Sequence, residues 1–152
     1  MSTKAPVREL LFTMTFQLTG ATDFGLTLDA VLSGQAPMPP AGLRLDFSAA
    51  GEVQGDKIRG KMQSVDYAHL RPDGVSMLHI HGIITTDDGA RISIAGEGVA
   101  TAPPGATAWE LRESLRLHTA APDYVWLNQV LVWATGETDL ATGKARLEMY
   151  IA

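Results

Sequence analysis

Cysteine is absent from all 152 residues, which excludes disulfide staples, cysteine-ligated zinc, iron–sulfur clusters and thiol nucleophiles together. An excess of positive charge is missing as well. The chain has 12 Lys+Arg against 17 Asp+Glu, a net charge of −5, which argues against a protein whose main work is neutralising phosphates. We expect no nucleic-acid partner. The longest wholly apolar run near the C-terminus, Val130 to Ala134, falls far short of the roughly 18 residues a membrane-spanning helix needs, so we expect no membrane partner either. Lys4 and Arg8 precede Leu10-Leu11-Phe12, but Glu9, Thr13, Thr15 and Gln17 break up any signal-peptide core. The expected location is cytoplasmic. Reaction motifs are lacking too: there is no GxSxG and no phosphate loop, and Gly96-Glu97-Gly98-Val99-Ala100-Thr101 has only the first two glycines of a GxGxxG.

What is present is a globular composition, 45% hydrophobic and 19% charged, at a length suited to a single domain over residues 1–152. Strict alternation marks several strands. Phe12, Met14, Phe16 and Leu18 alternate with Thr13, Thr15, Gln17 and Thr19, and the same period recurs in Leu43, Leu45, Phe47 and Ala49 and in Ile58, Gly60 and Met62. Val75 to Thr86 and Ala90 to Ala100 flank Asp87-Asp88-Gly89 and predict a hairpin. A second hairpin is expected from Gln129 to Thr135 and Ala145 to Ile151, across Gly136 to Gly143. Gly25 to Ala41, with three prolines, reads as a long loop with one helical turn near Leu28 to Leu32, placed to wall or cover a pocket. Thr107-Ala108-Trp109-Glu110 matches a capping box that would open a helix through Arg116, whereas Leu111, Leu115 and Leu117 also fit a strand. Eight or nine short strands make a barrel or a sandwich.

Three segments in order, Arg71-Pro72-Asp73-Gly74, Thr86-Asp87-Asp88-Gly89-Ala90 and Tyr124-Val125-Trp126-Leu127-Asn128, resemble the domain-of-unknown-function 3237 family, with the match running from Leu10 to the last strand. The resemblance implies an all-β, closed antiparallel, lipocalin-like barrel of about eight to ten strands, and an extended conformation for Glu110 to Thr119. Asp66, Tyr124, Trp126 and Asn128 occupy matching positions. His79 and His81 stand where the family pattern usually carries an Asp and an Arg, Gly96-Glu97-Gly98 stands in place of Asn-Arg-Gly, and His118 in place of a Glu.

His79 and His81 lie at i and i+2 on a strand, so both rings leave the same face about 7 Å apart at the backbone. A metal would need a third ligand, for which Glu97, Glu52, His69 or His118 are available but none is demanded. We expect no metal and no cofactor, and carry the pair forward, with Met77 and Ile83 on the same face, as polar groups in a pocket, the alternative being plain surface or satisfied core histidines. Asp66 and Tyr67 precede a loop, where the carboxylate either caps the turn or acts as a base beside an orienting phenol. Trp126 and Asn128 either plug one barrel end or touch a ligand. Arg112 and Arg116, amid Glu110 and Glu113, look like a solvated face.

These readings combine in a small-molecule-binding barrel whose mostly apolar lumen takes a compact apolar or aromatic molecule. In an enzyme of metal-free acid/base type (isomerase, cyclase, lyase or hydratase), His79, His81 and Asp66 are the catalytic candidates. Tyr67, Glu97, His118, Tyr124, Trp126 and Asn128 are then the ligand-binding candidates. The alternative is a non-catalytic binding or carrier protein. A homodimer is also expected, because the faces Met77-His79-His81-Ile83 and Leu78-Ile80-Gly82-Ile84 are both too apolar for water, with Ile80 and Ile84 at the contact.

Overall fold

A computed structural model describes residues 9–152; Lys4 and Arg8 lie outside them. Eight antiparallel strands close into one barrel in which every strand pairs with its neighbours in sequence and the last pairs with the first. They are β1 (Glu9–Asp23), β2 (Leu43–Gln54), β3 (Arg59–Leu70), β4 (Ser76–Thr86), β5 (Arg91–Thr101), β6 (Ala108–His118), β7 (Leu131–Asp139) and β8 (Lys144–Ile151). Closure leaves no free sheet edge. The short helix α1 (Leu28–Leu32) falls on the expected helical turn and is capped by the Thr27 side chain, which accepts the Ala30 N–H. Among the described residues no helix is long and apolar enough to cross a membrane.

The sequence alternations become the pleat of the barrel wall. Phe12, Met14, Leu43, Leu45, Ala49, Ile58 and Met62 are buried, and the residues between them face outward or lie nearer the surface. The segment with two readings is strand β6, in the extended form the family resemblance implies: Trp109, Leu111, Glu113, Leu115 and Leu117 point inward in unbroken alternation. The predicted second hairpin is longer than expected. Residues 136–139 continue β7, paired through Thr138 with Ala145 and Asp139 with Lys144, so the turn shrinks to residues 140–143 with Gly143 at φ 72°.

An up-and-down barrel sorts its connections to two ends, and here the ends differ. At one end a 3-10 helix (Pro122–Gln129) plugs the barrel, burying Leu127 completely in the core cluster that also holds the fully buried Ile58, Ile84, Ile92 and Val132. Asn128 ties the plug to the wall: its Oδ1 accepts the Thr119 N–H at 2.8 Å and its Nδ2 donates to the Thr119 carbonyl at 2.9 Å. The Tyr124 hydroxyl lies 3.0 Å from both carboxylate oxygens of Asp88 in the β4–β5 turn, where Gly89 supplies the positive φ of 92°. At the other end lie the β1–β2 loop with α1 and the turns after β3, β5 and β7, and there the lumen is not filled.

Two expectations about β4 are corrected here. Leu78, Ile80 and Ile84 are buried and Met77, His79, His81 and Ile83 are exposed, so the histidine face is the outer one. Ile80 and Ile84 therefore belong to the core and cannot form an intersubunit contact. The reason is the pairing of β3 with β4, which places Ile84 opposite Met62 and His81 opposite Val65. Once Met62 points inward, the whole register follows.

Candidate functional site

The unfilled half of the barrel is a cavity of about 110 Å³ walled chiefly by Phe16, Leu45, Phe47, Ile80, Leu115 and Leu147, with Leu28 of α1 and Leu140 also lining it. An apolar protein cavity of roughly 150 Å³ holds a benzene, so the size suits a compact ring. Five lining residues carry polar side-chain groups apart from one indole: Ser64, Asp66, Ser76, Glu113 and Thr138. No Lys, Arg or His lines the cavity. Two carboxyl groups thus share an apolar chamber with no cation among its walls.

Asp66 sits on β3, facing inward in phase with Met62, Ser64 and Ala68. The β3–β4 ladder is interrupted between the Asp66·Ile80 and His69·Met77 pairs, and there the His79 N–H donates to Asp66 Oδ1 at 3.0 Å. Burial pushes the Asp66 carboxyl up to about 6, with the like charge of Asp46 acting in the same sense and the His79 N–H bond and the His79 charge acting against it.

Glu113 is the second carboxyl, on β6, and only 8% exposed. Burial pushes it up to about 8, and the nearby charge of Asp66 adds to the effect. Its position is made by β5. Gly98 faces Glu113 across the ladder, and a Cβ at residue 98 would come within 2.9 Å of the Glu113 Cα and 3.0 Å of its Cγ. Gly96 does the same for Leu115, whose Cδ2 would be 2.6 Å from an added Cβ. The glycines of Gly96-Glu97-Gly98 therefore leave room on the inner face for side chains of β6 and have no phosphate to cradle.

The two carboxyls titrate apart. Near neutral pH Asp66, at about 6, is mostly ionised and Glu113, at about 8, mostly protonated, so the chamber holds one base and one acid at the same time.

Of the residues singled out in the sequence, the structure brings Asp66 alone to the cavity. His79 and His81 stack on the outer wall with ring centroids 5.6 Å apart, and Tyr67 meets His81 edge-on at 6.0 Å. Their placement in the pocket is overturned by the strand register. Glu97 and His118 are likewise exposed on the outer faces of β5 and β6. Tyr124, Trp126 and Asn128 build the plug, Trp126 with Lys57 Nζ 5.5 Å above its ring. Among the described residues no group of three or more His, Asp or Glu is placed to hold a metal ion.

Glu113 and Trp109 were missed. Glu113 was grouped with its charged neighbours as a solvated face, yet it stands in phase with Leu111, Leu115 and Leu117. That phase was the available signal, once the segment is taken as a strand.

Solved structures of similar architecture share the fold at low identity. A protein of unknown function from Clostridium acetobutylicum superposes with a TM-score of 0.78 at 22% identity, over 95% of this chain and 97% of that one. A beta-barrel like protein from Acinetobacter baumannii gives 0.75 at 18% identity, over 99% of both chains. An enzyme from Penicillium herquei gives 0.61 at 17% identity, over 98% of this chain and 99% of that one. No curated protein matches the chain in sequence. The profile of the family described as protein of unknown function (DUF3237) matches residues 9–151, from the first strand of the barrel to the last, and the chain is a member of that family.

Proposed function

We propose that the barrel binds a compact, mostly apolar cyclic molecule in its half-empty lumen and performs metal-free proton transfer on it, with Asp66 as base and Glu113 as acid. The observation that carries this reading is the pair of carboxyls in one apolar chamber, Glu113 buried and Asp66 partly so, both raised by burial and Glu113 further by the nearby charge of Asp66. Asp66 is pre-oriented by the His79 N–H, while Glu113 has no hydrogen-bond partner among the described residues and its proton is free to be donated. The reactions open to such a pair are those in which a C–H or O–H proton leaves to the base as an oxygen or carbon receives one from the acid. Isomerisation, cyclisation, elimination and hydration are of this kind. The solved relative from Penicillium herquei described as an enzyme makes a catalytic reading of this fold reasonable. His79 and His81, on the outer wall, have no part in it.

The test is proton exchange in D2O. With 1-indanone as probe, the protein accelerates exchange at the carbon beside the carbonyl: the Asp66 carboxylate takes the C–H proton, Glu113 protonates the carbonyl oxygen, and the enol returns with deuterium. Asp66→Asn and Glu113→Gln each abolish the acceleration. Binding of 1-indanone with no exchange above buffer would assign the protein to the carrier class instead.

For assembly we propose a homodimer through the outer face of β4. Met77 and Ile83 there are 40% and 50% exposed, with Val99 and Val65 on the flanking strands opposite Met77 and His81. Sedimentation of the unmodified chain as a dimer, and of Ile83→Lys as a monomer, is the expected outcome; a monomer at micromolar concentration in the unmodified chain rejects it.

A further inference from the structure

Glu113 is 8% exposed, lines the cavity and makes no hydrogen bond among the described residues. The one sealed side-chain polar atom among them that lacks a partner is the Trp109 Nε1, so the Glu113 carboxyl oxygens keep access to the lumen. Nothing in the fold takes up the Glu113 proton. Gly98 of β5 and Ala134 of β7 stand opposite it on the flanking strands, and neither can titrate. The one other titratable group lining the cavity is Asp66 on β3, whose Oδ1 already accepts the His79 N–H. Native structures leave a polar group this buried without a partner rarely and for a reason, and here the open side of the group is the lumen.

We propose that the lumen takes a cyclic amine or imine whose ring nitrogen lies against the Glu113 carboxyl, so that nitrogen and carboxyl hold one proton between them. This rests on the lumen-ligand reading above and deepens it by naming the atom that meets the acid. Charge favours a nitrogen base over the other polar classes. At neutral pH the chamber carries the single negative charge of Asp66, with Glu113 mostly protonated. An ammonium that enters while Glu113 releases its proton to solvent leaves that net charge unchanged and sets one cation in a chamber with two carboxylates. A carboxylate or phosphate would add negative charge where no cation answers it, and a ketone offers a neutral acceptor alone. Releasing the proton at pH 7 from a carboxyl at about 8 costs about tenfold in affinity, less than the charge-assisted N–H···O bond and the attraction of both carboxylates return. With an imine the same contact serves the proposed chemistry. Glu113 gives its proton to the nitrogen, the C–H proton beside the resulting iminium carbon passes to Asp66, and the product is the enamine, with Glu113 ionised and Asp66 protonated.

The probes are isoindoline, a secondary amine that is protonated in neutral water, and 2-indanone, which has a carbonyl at the same ring position. Calorimetric titration of the unmodified protein at pH 7, repeated in buffers of different ionisation enthalpy, is expected to show isoindoline bound about tenfold more tightly than 2-indanone. Isoindoline binding should release about one proton, the one Glu113 holds at that pH, and 2-indanone binding none. Above about 8 the free protein has no Glu113 proton left to give, so the release should fade as pH rises through that value. Neither measurement needs a variant. Glu113→Gln is expected to bind isoindoline without proton release and to lose most of the preference over 2-indanone. Equal binding of the two probes by the unmodified protein, release that persists in Glu113→Gln, or tighter isoindoline binding without release each overturn the proposal, the last by placing the nitrogen at Asp66 alone. All three leave proton exchange in 1-indanone standing, since that assay reads the acid/base pair by itself. If neither probe binds, the lumen-ligand reading itself fails and the proposal with it.

Discussion

Replacing Glu113 with Gln removes a titratable group and keeps the shape, and its effect on stability should depend strongly on pH. The folded state holds this carboxyl at about 8 against an ordinary 4.5, a rise of three to four units. At about 1.4 kcal/mol per unit, keeping the group buried and ionised costs on the order of 5 kcal/mol. The sign follows from proton binding. Between about 4.5 and 8 the folded chain holds the Glu113 proton and the unfolded chain releases it, so stability falls as pH rises through this window and levels off above 8. Asp66, raised to about 6 from 3.8, adds a further loss of about 3 kcal/mol at most between roughly pH 4 and 6. Urea unfolding of the unmodified protein from pH 5 to 9 should therefore show a decline of several kcal/mol. Glu113→Gln should flatten the part between 6 and 8 and be the more stable protein at pH 9. Parallel curves for the two proteins would refute the placement of a neutral, unpaired Glu113 in the apolar chamber.

Other outcomes follow from the same geometry. Proton exchange in 1-indanone should be bell-shaped in pH with its maximum between about 6 and 8, because the base must be ionised and the acid protonated. His79→Ala and His81→Ala should leave the exchange rate within about twofold of the unmodified protein, since both rings lie on the outer wall. Gly98→Ala should destabilise by roughly 1–3 kcal/mol in urea titrations, because the new Cβ would approach the Arg112 carbonyl oxygen to 2.3 Å. Leu127→Ala should cost roughly 2–5 kcal/mol by the same assay, as the side chain is wholly buried in the plug.

The barrel was legible because its strands carry period-two alternation and its turns carry glycine where positive φ is needed, as at Gly89. The inner and outer faces of β4 were not legible. Leu78-Ile80-Ile84 and Met77-Ile83 are almost equally apolar, so local hydrophobicity leaves the face undecided and the decision falls to the neighbouring strand, where Met62 is inward. The same ambiguity put the histidines in the pocket. Glu113 is polar at a core position, which pattern reading treats as surface; its phase with Leu111, Leu115 and Leu117 was the one cue in the sequence, and the pairing of β6 with the glycines of β5 shows the space left for it. Asp66 was singled out as a carboxylate ahead of a loop at a position matching the family; the strand in fact runs on through Ala68 to Leu70, which keeps Asp66 in phase with the inward Met62. Tyr124, Trp126 and Asn128 stand together in sequence because they build one plug, a role that motif reading could name only as one of two.

The central claim is that one lumen carboxyl is ionised and the other protonated at neutral pH. Its most direct test is a pH titration of the side-chain carboxyl carbons by 13C NMR in the unmodified protein, with Asp66→Asn and Glu113→Gln assigning the signals. The account predicts apparent midpoints near 6 for Asp66 and near 8 for Glu113. Midpoints below 5 for both would place two ordinary carboxylates in water and contradict it.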